Sequence, residues 1–213
     1  MRRAIAALLA AAACAAPAAA QVAPPDADPQ VAPLGAPHSV AVGKPWNGYL
    51  EHGVQLPAEG PDFVTWDEVL RQAPNRGWRR WGTQELVALL EQVAREFRLA
   101  HPGAPRLLIS DLSRPNGGPF GRRYGGLGHD SHQNGLDADV MYPRRDGLLR
   151  APIRPSQVDR ALAQDLVDRF RRAGAVKLFV GPHLRLHGPR DVVVALAHHD
   201  DHVHVRIPTP PGE

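Results

Sequence analysis

Two short segments far apart in the chain, residues 136–141 (LDADVM) and 202–207 (HVHVRI), alternate apolar and polar residues with a period of two. That is the period of a β-strand, whose successive side chains point to opposite faces. Leu136, Ala138 and Val140 then share one face, and Asp137 and Asp139 share the other. In the second segment Val203, Val205 and Ile207 point inward, while His202 and His204 emerge together, about 6.5–7 Å apart along the strand. A chain built this way is held to a sheet with one dry face and one face carrying carboxylates and imidazoles.

Other segments fill out the class. Thr83 opens a helix in which Leu86, Leu89, Leu90, Val93 and Phe97 recur at the three-and-four spacing of a single apolar stripe. A second helix is expected from Ser156, with Asp159 three residues on in a capping-box-like arrangement and Val158, Ala161, Leu162, Leu166 and Phe170 inward. Short strands are expected at 54–56, 106–109 and 177–180, and a Gly/Pro-rich loop from Asp111 to Gly128 is long enough to be functional. Strands around the histidines, with helices before and between them, predict an α+β fold: one domain with a mostly antiparallel sheet flanked by helices.

The chain starts MRR and runs through apolar Ala and Leu to about Ala16, then Ala18-Ala19-Ala20 precede Gln21, the layout of a cleavable secretory signal over residues 1–20. The run is too short for a permanent membrane span, which needs about 20 apolar residues. The expected product is exported, periplasmic or secreted. Cys14, the single cysteine, lies within that signal, so cleavage leaves no thiol. A second reading acylates Cys14 as a lipoprotein anchor, although Ala11 stands where Leu is usual. Residues 21–45, rich in Pro and Ala, read as a tether; 46–207 as the catalytic domain; 208–213 as a tail.

The formal net charge is +3, carried almost wholly by arginine, since Lys44 and Lys177 are the only lysines. A basic surface favours an anionic polymer. The arginines are scattered and no aromatic platform interleaves with them, which argues against nucleic acid and for cell wall. The sequence leaves the oligomeric state open.

His132 and Asp139 stand seven positions apart with Gly135 between them, so the chain can turn and a strand can bring the carboxylate back beside the imidazole. The third ligand should come from a distant strand, and His204 is the best placed. Two neutral imidazoles and one carboxylate make a three-ligand zinc site, whose fourth position is left for a water of lowered pKa. Such a site is that of a hydrolase. His202 then serves as general base or as the group that stabilises the developing oxyanion, with His199 assisting. His129 is assigned to the surroundings of the site or to an optional metal, and Asp137 to orienting a ligand imidazole. His101, His183 and His187 lie outside these clusters. Trp78 and Trp81 either line a cleft or pack under a loop.

The strings NGYLEHGVQLP, NRGWRRWG, SDLSRPNGGPFG, SHQNGLDADV and HHDDHVHVRI, in this order, resemble the penicillin-insensitive murein endopeptidases. That family is grouped with lysostaphin-type peptidases, D-Ala-D-Ala metallopeptidases and the hedgehog domain. The resemblance runs from about Trp46 to Ile207. It implies zinc on His132, Asp139 and His204, with His202 and His199 catalytic. The implied substrate is the peptidoglycan stem peptide at its D-alanyl to meso-diaminopimelyl cross-links. Some members carry Asp-x-x-His after the ligand Asp, associated with further metal; here Asp146 has no following His, so one ion is expected. Two other functions use the same residues: a D-Ala-D-Ala carboxypeptidase or dipeptidase, and a non-catalytic zinc-stabilised wall-binding module. His202 beside a ligand argues against the second, because a binding module has no use for a base.

Overall fold

The computed structural model describes residues 37–121 and 129–210, and the fold starts earlier than expected. Strand β1 (Val40–Lys44) lies inside the segment assigned to the tether and pairs antiparallel with β2 (Asn47–Glu51), so the folded region reaches back to Val40 rather than Trp46. The expected signal, Cys14, the tether up to residue 36, residues 122–128 of the long loop and the last three residues lie outside the described residues. Next come β3 (Val54–Gln55), β4 (Phe63–Thr65) and β5 (Trp81–Gly82), with β3 and β5 forming a second small antiparallel pair.

Helix α1 (Gln84–Ala100) begins where expected, because the Thr83 hydroxyl accepts the Leu86 N–H at 3.2 Å and satisfies a first-turn donor. Its buried stripe is Leu86, Val87, Leu90, Val93, Ala94 and Phe97. Strand β6 (Leu107–Ile109) follows, then β7 (Asp137–Met141). Helix α2 (Arg160–Arg172) starts later than Ser156: residues Pro155–Gln157 form a 3-10 turn, and Asp159 is itself the cap, accepting from the Ala161 and Leu162 N–H groups. A carboxylate accepts from two backbone N–H groups at once, so it outcompetes a Ser cap three residues earlier. The chain ends through β8 (Lys177–Val180), β9 (Val193–Ala195) and β10 (His202–Arg206).

Six strands form one sheet in the order β4-β6-β7-β10-β8-β9. The central pairings β6–β7, β7–β10 and β10–β8 are antiparallel, and the outer two, β4–β6 and β8–β9, are parallel. The fold is thus the expected α+β domain with a mostly antiparallel sheet. One face of the sheet packs on the helices: Leu107, Ile109, Ala138, Val140, Leu178, Val180, Val203 and Val205 join the α1 and α2 stripes in the main core. Each of the Val, Leu and Ile side chains among them contributes about 1.5–3 kcal/mol when taken fully out of water, so burial on this face favours the folded state. The other face carries a small apolar patch of Val64, Trp66, Leu108, Met141 and Ala151, and beside it the histidines. Among the described residues no helix is long and apolar enough to cross a membrane.

Candidate metal centre and active site

Register places the site. In the β7–β10 pair, Asp139 stands directly opposite His204, Asp137 opposite Arg206, and Met141 opposite His202. Directly opposed residues of an antiparallel pair have side chains in contact on one face. His204 Nδ1 accordingly lies 3.0 Å from Asp139 Oδ1, and His202 Nε2 lies 3.6 Å from the same oxygen. His132 arrives from the preceding turn. Its own φ is 68° and that of Gly135 is 78°, and a Cβ on Gly135 would sit 2.8 Å from Leu50 Cδ1, so only glycine fits there. The turn sets His132 Nε2 at 3.4 Å from Asp139 Oδ2, and the His132 N–H donates to Asp137 Oδ2 at 3.2 Å.

His132, Asp139 and His204 are buried, yet Asp139 Oδ1 and both ring nitrogens of His132 make no hydrogen bond. Buried polar atoms normally find partners, and leaving one without costs about 1–3 kcal/mol. Nitrogen and oxygen lone pairs that face one another across about 3–3.5 Å, without hydrogen-bond geometry, suit a cation between them. Imidazole and carboxylate are the donor types zinc accepts. Donor atoms of His129, His132 and Asp139 all lie within 4.8 Å of one another, and His204 joins them through Asp139. His129, assigned to the surroundings of the site or to an optional metal, lies within this cluster: its Nδ1 is 3.7 Å from Asp139 Oδ2, and its ring centroid is 4.5 Å from that of His132.

An outer carboxylate holds each of three imidazoles. Asp137 Oδ1 lies 3.2 Å from His204 Nε2, Asp201 Oδ1 lies 2.7 Å from His202 Nδ1, and Asp111 Oδ2 lies 2.8 Å from His129 Nε2. Asp137, assigned above to orienting an imidazole, faces the His204 ring. Asp111 and Asp201 were missed; Asp201 had a local signal, standing immediately before His202, while Asp111 had none. Glu68 was also missed. Burial first, then the negative charge of Asp201, pushes its carboxyl up to about 7, and its Oε1 is buried without a hydrogen bond.

The electrostatics follow from this crowding. Burial alone would push the His204 imidazole down, but the carboxylates of Asp137 and Asp139 prevail and push it up to about 9. Burial lowers His132, which favours the neutral ring a metal needs. For His202 burial also opposes the charged form, and Asp139 and Asp201 together overcome it and raise its pKa. Burial pushes His199 the other way, down, with its Nδ1 donating to Ala197 O at 2.8 Å. The His199 and His202 rings stand 4.8 Å apart, so two adjacent imidazoles have affinities for a proton shifted in opposite directions.

His129, His132, Asp139, His199, His202 and His204 line one open cavity of about 740 Å³, with Trp46, Phe179, Leu196 and Arg206 forming its walls. Trp46 is 54% exposed and carries the Lys44 ammonium 5.7 Å and the Arg206 guanidinium 5.8 Å from its ring centroid. Trp81 packs by donating its indole N–H to Gly77 O, and Trp78 stacks on arginines; neither is among the residues lining this cavity. His101 pairs with Asp165 and His183 with Asp200, away from the cluster as expected.

The site is thus a buried His–Asp cluster, suited to a divalent cation, on the open face of a mixed sheet backed by two helices. The family described as penicillin-insensitive murein endopeptidase matches residues 41–185, and the chain belongs to it. The match includes His129, His132 and Asp139 and stops before His199, His202 and His204. A Haemophilus influenzae protein named penicillin-insensitive murein endopeptidase is 32% identical over 99 residues, 46% of this chain and 30% of its own. One of the same name from Pectobacterium atrosepticum is 28% identical over 134 residues, 62% of this chain and 42% of its own. The chain thus matches less than half the length of these two relatives.

Proposed function

We propose that the protein is a zinc-dependent peptidoglycan endopeptidase that hydrolyses D-alanyl to meso-diaminopimelyl cross-links, working in the periplasm or outside the cell. The observation that carries this is that His132 Nε2 and His204 Nδ1 both approach the buried Asp139 carboxylate, at 3.4 and 3.0 Å, while Asp139 Oδ1 and both His132 ring nitrogens make no hydrogen bond. These three residues would hold a single ion. A bound zinc supplies Lewis acidity and a water acidic enough to be a nucleophile near neutral pH.

The chain's own groups do the rest. His202 presents Nε2 to the cavity because Asp201 holds Nδ1, so it exchanges a proton at a defined atom. Asp137 fixes the His204 ring from behind, and Arg206 secures Asp137 through two hydrogen bonds of 2.6 and 3.2 Å. His199, biased toward the neutral form, stands ready as an acceptor beside His202. Trp46 and Phe179 give the cavity an apolar wall, and Lys44 with Arg206 gives it positive charge, which suits a peptide bearing free carboxylates.

Purified protein incubated with cross-linked muropeptide dimers is expected to release monomers, to stop when chelator is added and to resume with zinc. Intact dimers in the presence of zinc would refute the reading. Release of free D-Ala from pentapeptide monomers instead would move the assignment to a carboxypeptidase, and zinc binding with neither reaction would leave a wall-binding module.

A further inference from the structure

On the side of the cluster away from β10, Asp111 is fully buried, as is the Arg79 side chain beside it. Backbone hydrogen bonds lock this region to the site: the Asp139 N–H donates to Asp111 O at 2.9 Å, the Ser110 N–H to Asp139 O at 2.7 Å, and the Leu112 N–H to Arg79 O at 2.9 Å. Both carboxylate oxygens of Asp111 are engaged twice. Oδ1 accepts from Arg79 Nε at 2.6 Å and Asn75 Nδ2 at 3.0 Å; Oδ2 accepts from Arg79 Nη2 and meets His129 Nε2 at 2.8 Å. The guanidinium is boxed between the Trp78 ring, 4.9 Å from its centroid, and the Phe120 ring, 5.0 Å away. Phe120 in turn meets the His129 ring edge-on at 5.2 Å.

A carboxylate paired in this way with a buried guanidinium is ionised and can only accept hydrogen bonds. The His129 nitrogen that faces it must therefore carry the proton. In a neutral ring the other nitrogen, Nδ1, is then a bare lone pair; it points toward Asp139 but stays 3.7 Å from Oδ2, beyond hydrogen-bond reach, so that carboxylate does not compete for the proton. We propose that Asp111, clamped by Arg79, is a positioning residue that sets the Nε2–H tautomer of His129 and so presents an Nδ1 acceptor to the floor of the cavity. The inference rests on the endopeptidase reading for its consequence in turnover, but the tautomer itself does not depend on that reading. If Asp111 merely neutralised Arg79, its loss would weaken the fold and leave the tautomer as it was.

The test uses full-length, zinc-loaded protein with ¹⁵N-labelled histidine. Long-range ¹H–¹⁵N spectra of the wild type are expected to show His129 protonated at Nε2 alone. In Asp111→Asn, whose amide can donate to Nε2, the proton is expected to move to Nδ1 while the equivalent of zinc is retained. On muropeptide dimers kcat is expected to fall about 10–100-fold with little change in KM, the size usual for a residue that orients an active group. His129→Ala is expected to lose about as much, and the double variant no more than either single one, because both changes remove the same interaction. A wild-type His129 protonated at Nδ1, or at both nitrogens, overturns the proposal even if Asp111→Asn does not fold. Losses that multiply in the double variant overturn it as well. If the wild type cleaves no dimer but shows the Nε2–H tautomer, the endopeptidase reading fails and the positioning role stands.

Discussion

Asp137 and Asp111 flank Asp139 from two sides, and each buried carboxylate is tied to one arginine and one histidine. Asp137 holds Arg206 and His204; Asp111 holds Arg79 and His129. The partners differ in origin. Those of Asp137 sit on a single neighbouring strand and are delivered by the β7–β10 register, whereas those of Asp111 come from a 3-10 turn, Gly77–Arg79, and from the segment before β7. They differ in solvent too: the Arg206 side chain keeps 17% of its exposure and that of Arg79 none. One arrangement is a by-product of strand pairing, and the other has to be assembled by packing.

The largest effect is expected at Asp139, which stands between the two carboxylates, and at its neighbour His132. Replacing Asp139 or His132 by Ala removes a donor, and we expect zinc content to drop from one equivalent to almost none, read by metal analysis after gel filtration. His202→Ala is expected to keep the metal and lower kcat by about 10²–10⁴-fold, the range for a general acid–base group. Full activity in that variant would remove His202 from the mechanism.

Stability separates the two carboxylates next. Asp111→Asn strands a fully buried guanidinium and is expected to cost about 3–5 kcal/mol in urea unfolding. Asp137→Asn leaves Arg206 partly solvated and should cost less; equal losses would show that burial of the arginine does not decide the matter.

Acid should act on both. In each case burial alone would raise the carboxyl, but Arg79 and His129 for Asp111, and His204 and Arg206 for Asp137, hold it well below the ordinary range. A folded pKa depressed below the unfolded value of about 3.9 stabilises above that value and is lost as pH falls below it. The stability difference between wild type and Asp111→Asn, measured by unfolding at pH 7, 4 and 3, is expected to be largest at pH 7 and to shrink below about pH 5, as the Asp111 contribution is lost. The smallest effect expected is at the rim: Trp46→Ala should raise KM for dimers by about 3–10-fold, the loss of one partly exposed aromatic contact, with kcat and zinc unchanged.

Much of this was legible beforehand because it follows local periodicity. The alternation in residues 136–141 and 202–207 is the alternation of β7 and β10, and the stripe after Thr83 is α1. Pairing of His132 with Asp139 was readable from Gly135, whose conformation the turn requires. The start of α2 was misplaced because Ser156 and Asp159 both carry cap chemistry, and only the geometry shows which one accepts. The tether ran too far because a Pro- and Ala-rich composition masks the short strand β1.

By itself the sequence determined which residues share a strand face, since a two-residue period is a property of the backbone and needs no partner. Only tertiary contacts set Asp139 opposite His204 and bring Arg79 to Asp111. Those contacts join residues separated by tens of positions, and no local rule of propensity or spacing carries information about which distant segments will meet.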